Sequence, residues 1–201
     1  MVQVTDMTGG DAVILDPQIL LDTLGVAVAT GGEFAEVFVE DRRSISALLD
    51  DRRIEELTSG RDRGAGIRVV VGETTGFAHT ADLSPAGLRA AATAASAAAR
   101  SGGSGVRVVA LDSMSGPASA AVEILPSDVP KARKVALLER ADDAARSRDG
   151  AITQVTARYA DSQRRIQIAN SDGLLTGDRQ IRTLFSVSCV ASGDSGLQTG
   201  R

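Results

Sequence analysis

The chain has 201 residues, 43 % of them hydrophobic and 24 % charged, with a mean hydropathy of +0.01. That profile excludes wholesale disorder and fits one ordinary domain or two small ones. A net charge of −4 and an isoelectric point near 5.1 leave no basic field to attract nucleic acid, and 2 % aromatic residues offer no stacking platform for bases.

All but two of the 22 cationic residues are Arg, the exceptions being Lys131 and Lys134. One histidine, His79, and one cysteine, Cys189, exclude an internal disulfide and every zinc site built from several His or Cys. No run reaches the roughly 20 apolar residues of a membrane span. The N-terminal MVQVTDMTGGD has neither a basic n-region nor an apolar h-region. With a lone Cys, the expectation is a cytoplasmic protein without a membrane partner.

Residues 1–10 read as a loose polar arm. Asp16-Pro17 gives an N-cap and first helical residue, Leu20, Leu21, Leu24 and Val28 follow at helical spacing, and Gly31-Gly32 ends the run. Strands are expected at Phe34–Glu40, Ser44–Leu49 and Arg53–Thr58, the last two joined at Asp50-Asp51. Gly64-Ala65-Gly66 reads as a break before the β run Ile67–Val71, which turns at Gly72-Glu73 and returns over Thr75–Thr80. Short strands with tight turns imply an antiparallel sheet. Ser84-Pro85 opens an Ala-rich helix to about Arg100, whose small side chains let it lie close against a sheet. Ser101–Gly105 reads as a flexible joint, Val106–Leu111 as a short strand, and residues 112–121 as a linker.

The second half repeats this plan. A helix is expected from about Pro130 to Arg148, with Val135, Leu138, Ala141 and Ala145 on one face. Strands follow at 152–160, 164–170 and 181–191, with turns at Asp161-Ser162 and Asn170–Gly173. No closing element is visible after the last strand, so the chain is expected to be part of a longer protein. The predicted fold class is α+β, helices on mostly antiparallel sheets in two similar halves: an N-terminal domain (1–111), the linker, and a truncated second domain (122–201).

Few residues carry chemistry on their own. Gly64-Ala65-Gly66 lacks the third glycine of a dinucleotide fingerprint and enters a strand instead of a helix, so it reads as a turn or bulge. No GxxxxGK[ST] and no Gly-x-Ser-x-Gly are present. His79 reads as a half-buried strand-end histidine and Cys189 as a buried, inert thiol. Glu33, Glu36, Glu40 and Asp41 could look like a hard-metal cluster, but exposed cross-strand ion pairs with Arg42, Arg43, Arg52 and Arg53 explain them better.

Several segments taken in order resemble the N-terminal part of the TldD/PmbA family of peptidases. They are Gly32–Glu40, Gly64–Val69, Gly76–Leu83 with the Ala-rich helix, Arg165–Gly173, and the terminal Gln198-Thr199-Gly200. The resemblance covers roughly residues 10–201. It implies a zinc metallopeptidase in the full-length parent, acting on unfolded or flexible peptides. It also implies a dimer, with either a PmbA/TldE-like subunit or a second copy. In the family the zinc is held by a His-Glu-x-x-x-His helix and a later Cys. That motif is absent from this sequence, so no catalytic, cofactor-binding or metal-binding residue is carried over, and Cys189, which precedes the expected helix, is not taken as a ligand. The Ala-Asn-Ser-Asp-Gly turn (169–173) is nearer the active subunit. The expected role is a substrate-guiding and dimer-forming region, itself inactive and metal-free. The alternatives are a non-enzymatic interaction module and a fragment of the zinc-free PmbA-type partner.

Overall fold

The structure, a computed structural model, describes residues 13–99, 108–114, 122–148, 150–194 and 196–201. Among them stand three helices, α1 (Pro17–Val28), α2 (Pro85–Ala98) and α3 (Lys131–Arg146). Seven strands accompany them: β1 (Phe34–Asp50), β2 (Arg53–Val71), β3 (Thr74–Thr80), β4 (Asp112–Ser113), β5 (Ile152–Asn170), β6 (Leu174–Gly193) and β7 (Gly196–Gly200). The fold is α+β as expected, with a mostly antiparallel sheet in the order β3-β2-β1-β5-β6-β4 and β7 added on β6. β2 and β3 pair antiparallel from Ala65↔Thr80 to Val71↔Thr74, while β4 runs parallel to β6.

Local chemistry sets the helix starts. The Asp16 side chain accepts from the Gln18 N–H and the Ser84 side chain from the Gly87 N–H, and Pro occupies the first helical position in both cases. Gly31 ends the α1 segment at φ 106°, a conformation that suits glycine. The 170–173 turn also forms as read: Asn170 Oδ1 accepts from the N–H groups of Asp172 and Leu174, and Gly173 sits at φ 96°.

The strands are longer than expected. β1 runs unbroken through Asp41–Arg43, joining the strands expected at 34–40 and 44–49. β2 likewise absorbs Gly64-Ala65-Gly66, and β5 passes straight through Asp161-Ser162. In β1 and β5 a distant partner satisfies the polar residue at which the sequence suggests a break. Asp41 is held by Arg165 and Asp161 by Lys134, so neither needs to leave the ladder. The β1–β2 hairpin turns at Asp51-Arg52, one residue later than expected, with φ of 44° and 68°. Two positive φ values are the mark of a type I′ hairpin turn, here built without glycine.

Pairing near the second helix and at the C-terminus also differs. Residues 108–111 are not strand, and pairing occurs at Asp112–Ser113, where a linker is expected. β6 starts at Leu174, well before the expected 181, and β7 pairs antiparallel with it from Cys189↔Gly200 to Gly193↔Gly196. The expected arm (1–10), the joint (101–105), Val106-Arg107 and the rest of the 112–121 linker lie outside the described residues.

Two compact units divide the chain, each assembled from three segments. The first comprises Met1–Arg42, Asp62–Ala120 and Arg164–Arg179. Its core joins Leu20, Leu24 and Val28 of α1 to Leu88, Ala92 and Ala95 of α2 and to Val37, Val39, Ile67 and Val69 of the sheet. Gly76 explains why α2 is so rich in alanine. A Cβ on Gly76 would stand 2.0 Å from the Ala95 carbonyl oxygen and 2.5 Å from the Ala99 N. Strand and helix backbones approach that closely only because neither carries bulk there.

The second unit comprises Arg43–Arg61, Ala121–Gln163 and Gln180–Arg201. α3 lies over Ala47 and Leu49 of β1 and Ala157 and Tyr159 of β5 through Leu138. The buried line of α3 is Lys134, Leu138 and Asp142. The expected face of Val135, Leu138, Ala141 and Ala145 is therefore rotated toward two charged residues. Periodicity in apolar side chains could not show this, because the charges are buried as pairs.

Candidate functional site

In the first unit, alternation places Ala35, Val37 and Val39 of β1 against the helices and leaves Phe34, Glu36, Phe38 and Glu40 on the opposite face. That face is a lattice of arginines over aromatic rings. The Arg68 guanidinium lies 5.4 Å from the Phe34 ring centroid and 3.5 Å from Glu36, and Arg164 lies 6.0 Å from the Phe38 ring and 2.5 Å from Glu40. A hollow of about 380 Å³ opens beside it, lined by Phe38, Glu40, Gly64, Gly66, Phe77 and His79 among others. Gly66 leaves room for the Phe77 ring, which a Cβ would approach to 3.1 Å. Phe77 remains 61 % exposed, a large apolar surface for a chain with four phenylalanines. β3 pairs with β2 only from Ala65 onward, so residues 53–64 of β2 have no strand neighbour on that side among the described residues.

The second unit holds a buried charged cluster. Lys134 Nζ donates to Asp161 Oδ2 at 2.5 Å and to the Pro126 carbonyl at 2.9 Å, and lies 5.5 Å from the Tyr159 ring centroid. Only 1 % of the Lys134 side chain and 6 % of the Asp161 side chain reach solvent. Burial, reinforced by the hydrogen bond and charge of Asp161, pushes the Tyr159 hydroxyl up to about 12. A second buried carboxylate, Asp142, accepts from Arg146 at 3.2 Å and faces Arg52 at 3.9 Å. Arg146 also donates to Asp51 in the β1–β2 turn at 2.5 Å.

The residues singled out in the sequence fall in different places. Glu36, Glu40 and Asp41 do form cross-strand ion pairs, but with Arg68, Arg164 and Arg165 instead of the nearby Arg42, Arg43, Arg52 and Arg53. Asp41 is buried, not exposed. His79 is exposed beside Phe77, at 6.4 Å between ring centroids, and not half-buried as expected. Cys189 is half-buried in β6 instead of fully buried. Lys134, Asp161 and Asp142 are the polar residues missed by reading the sequence. The single available signal was that both lysines of an arginine-rich chain begin one helix.

Zinc needs three or four nitrogen, sulfur or oxygen donors converging at about 2.0–2.3 Å. No three His, Cys, Asp or Glu come together among the described residues. The described residues therefore offer no donor set that fits zinc. None of the described helices is long and apolar enough to cross a membrane.

The order of these elements matches a known architecture. Residues 35–99 match the family described as PmbA/TldA metallopeptidase domain 1, and residues 124–201 match the PmbA/TldA metallopeptidase central domain. The chain belongs to the TldD/PmbA family. It is 26 % identical over 187 residues to the metalloprotease TldD homolog of Haemophilus influenzae, covering 92 % of this chain and 39 % of that protein. It is 33 % identical over 174 residues to a metalloprotease of Methanothermobacter thermautotrophicus, covering 84 % of this chain and 36 % of that protein. The chain thus spans well under half the length of these relatives.

Solved structures show the same fold at lower identity. A protein from Bacteroides thetaiotaomicron described as a candidate modulator of DNA gyrase superposes with a TM-score of 0.71 at 16 % identity, covering 90 % of this chain and 43 % of that one. TldE from Thermococcus kodakarensis superposes with a TM-score of 0.66 at 17 % identity, covering 90 % of this chain and 40 % of that one.

Proposed function

We propose that this chain is the N-terminal substrate-guiding and dimer-forming region of a TldD-like zinc metallopeptidase acting on unfolded or flexible peptides. The observation that carries this reading is the ordered match to domain 1 and then to the central domain of one metallopeptidase family. The His-Glu-x-x-x-His chemistry would come from a further part of the parent, where zinc would lower the pKa of a bound water and polarise the scissile carbonyl. This chain would shape the mouth of the cleft. The open stretch of β2 and the exposed Phe77 support that role, because an extended peptide can add to a free strand edge through main-chain hydrogen bonds that tolerate many sequences. The residues between the two matched regions, around 112–121, would be the boundary between the family's domains. The partner would be a TldE-like subunit or a second copy, in the cytoplasm.

Zinc stoichiometry and cleavage of an unfolded peptide, measured on the 201-residue chain and on a chain extended through the His-Glu-x-x-x-His segment, test the proposal. Only the extended chain is expected to hold zinc and cleave. A 201-residue chain that binds one zinc tightly and cleaves peptides overturns it. The likeness in fold to TldE supports a second reading, the zinc-free partner type. A continuing reading frame without the His-Glu-x-x-x-His motif would select it, and a genuine stop codon would favour a stand-alone interaction module.

A further inference from the structure

In the first unit β3 stands at the end of the strand order, so its outer edge has no strand neighbour among the described residues. The two-residue turn at Gly72-Glu73 closes on Val71↔Thr74, and bonded pairs alternate from there. Thr74, Gly76, Ala78 and Thr80 therefore direct their main-chain groups to β2, while Thr75, Phe77 and His79 direct theirs outward. No described backbone group bonds to those outward groups. The edge is also unguarded. Strand edges are usually blunted by charges, by Pro or by a bulge. The exposed stretch 53–63 of β2 follows that rule with Arg53, Glu55, Glu56, Arg61, Asp62 and Arg63. β3 has no Lys, Arg, Asp, Glu or Pro, and its register with β2 runs without a bulge. It carries exposed Thr75, Phe77 and His79 on one face, while Gly76 is buried against α2 on the other.

We propose that the outer edge of β3 takes an extended peptide segment as an added strand, with a large apolar side chain of that segment set against Phe77. The outward N–H and C=O groups of Thr75, Phe77 and His79 supply the main-chain bonds, which hold many sequences. Directly opposed residues share a face, so the peptide residues opposite Phe77 and His79 place their side chains beside those rings. The hollow of about 380 Å³ opens on this face, lined by Phe77 and His79 and, further in, by Phe38, Gly64 and Gly66. The Phe77 ring leans over Gly66 of β2, away from the free edge, and so leaves the main chain of that edge accessible. The inference rests on the peptide-guiding reading and deepens it, by naming the edge and the class of side chain it favours. Neither zinc nor cleavage enters its test, so the two fail separately.

The probe is a capped heptapeptide, acetyl-Ser-Thr-Thr-Phe-Thr-Thr-Ser-amide. It is titrated into the 201-residue chain and followed by calorimetry and by amide exchange resolved at single residues. Saturable binding is expected, with the Phe77 and His79 amides slowed about fivefold, the scale of one added hydrogen bond. The amides of Gly76 and Ala78, already turned to β2, should not change. An analogue with Ala for the central Phe, and the Phe77→Ala variant, should each weaken binding about fivefold, the upper scale of a cross-strand aromatic pair. An analogue N-methylated at the central Phe loses a donor toward β3 and should also bind about fivefold more weakly. Thr75→Pro removes one outward N–H without touching the β2 ladder and should weaken the parent peptide by about the same factor. The two analogues carry the test if either variant folds poorly. No saturable binding at millimolar peptide, equal affinity for either analogue, or protection that falls on 53–61 instead of β3 overturns the proposal. Protection of the Phe77 and His79 amides that grows with protein concentration, without peptide, also overturns it, since a second copy then holds the edge.

Discussion

Replacing Lys134 by Met tests whether the second unit is organised around its buried ion pair. The substitution keeps the unbranched stem but removes the ammonium that bonds Asp161 at 2.5 Å and the Pro126 carbonyl at 2.9 Å. Asp161 is then a carboxylate with 6 % of its side chain in water that has lost the ammonium bonded to it. Breaking a buried pair from one side costs about 3–5 kcal/mol, because the remaining charge is left uncompensated. At a urea slope of about 2 kcal/mol per molar, the midpoint should fall by roughly 1.5–2.5 M. Tyr159 fluorescence is the proper probe, since Tyr159 packs in this unit's core with Leu138 and so reports its unfolding in particular.

The double variant Lys134→Met/Asp161→Leu separates a lost pair from a lost shape. Swapping a whole buried pair for apolar groups of similar volume is often neutral or stabilising by about 1–4 kcal/mol. Most of the midpoint should therefore return, while Tyr159 keeps its bond to Thr183. A single variant whose midpoint moves by less than about 0.5 M, at that slope, would mean that water reaches the pair and its energy is that of a surface contact. A double variant no more stable than the single would equally refute the reasoning.

Tyr159 also predicts a pH dependence. Its folded-state value, raised to about 12 by burial and by Asp161, exceeds the ordinary 10.0. A raised value means that the folded chain keeps its proton longer, so this contribution to stability is complete below pH 10 and is lost as pH rises through about 12. Phenolate absorbance should show one titration step near 12 in the native chain and near 10 in urea, and a native step at 10 would contradict the burial. In the first unit, Gly76→Ala should cost about 3 kcal/mol, the upper end for overpacking, because the new methyl would meet backbone atoms at 2.0 and 2.5 Å. Gly25→Ala in α1, where nothing lies within 4 Å, is the control. It should stabilise by about 0.4–1 kcal/mol through the unfolded chain. Equal urea midpoints for the two variants would show that α2 does not lie as close to β3 as Gly76 implies.

The features legible in the sequence are those fixed within a few residues. Asp16-Pro17 and Ser84-Pro85 place two helix starts because the capping side chain and the orphan N–H lie two or three residues apart. Asn170 and Gly173 place a turn for the same reason. Strand length was not legible, because it depends on what lies across the ladder. Asp161-Ser162 has the chemistry of a turn until Lys134, 27 residues earlier, takes the carboxylate. The buried face of α3 failed for the same reason, since Lys134 and Asp142 read as solvent-facing until their partners are known. His79 lies near the end of a strand as expected, but it is exposed and not half-buried, because no described element covers that side of β3 at Phe77 and His79.

The arginines of β5 show how such distant partners choose one register among several. Arg164 and Arg165 are adjacent, so they point to opposite faces of the sheet, and they grip two adjacent acids of β1, Glu40 and Asp41, each at 2.5 Å. Backbone bonds set the same alignment on either side: Ser171 N–H donates to the Ala35 carbonyl, and Asp51 N–H to the Val155 carbonyl. A one-residue slip would carry every side chain of β5 to the other face. Arg165 would lose Asp41, whose carboxylate is 2 % exposed and has no water to replace a cation. The half-buried pair Glu40–Arg164 keeps access to water and could be lost at smaller cost than a carboxylate as buried as Asp41. The specificity of the β1–β5 pairing therefore rests on Asp41 more than on Glu40, although the sequence presents the two acids as equivalent.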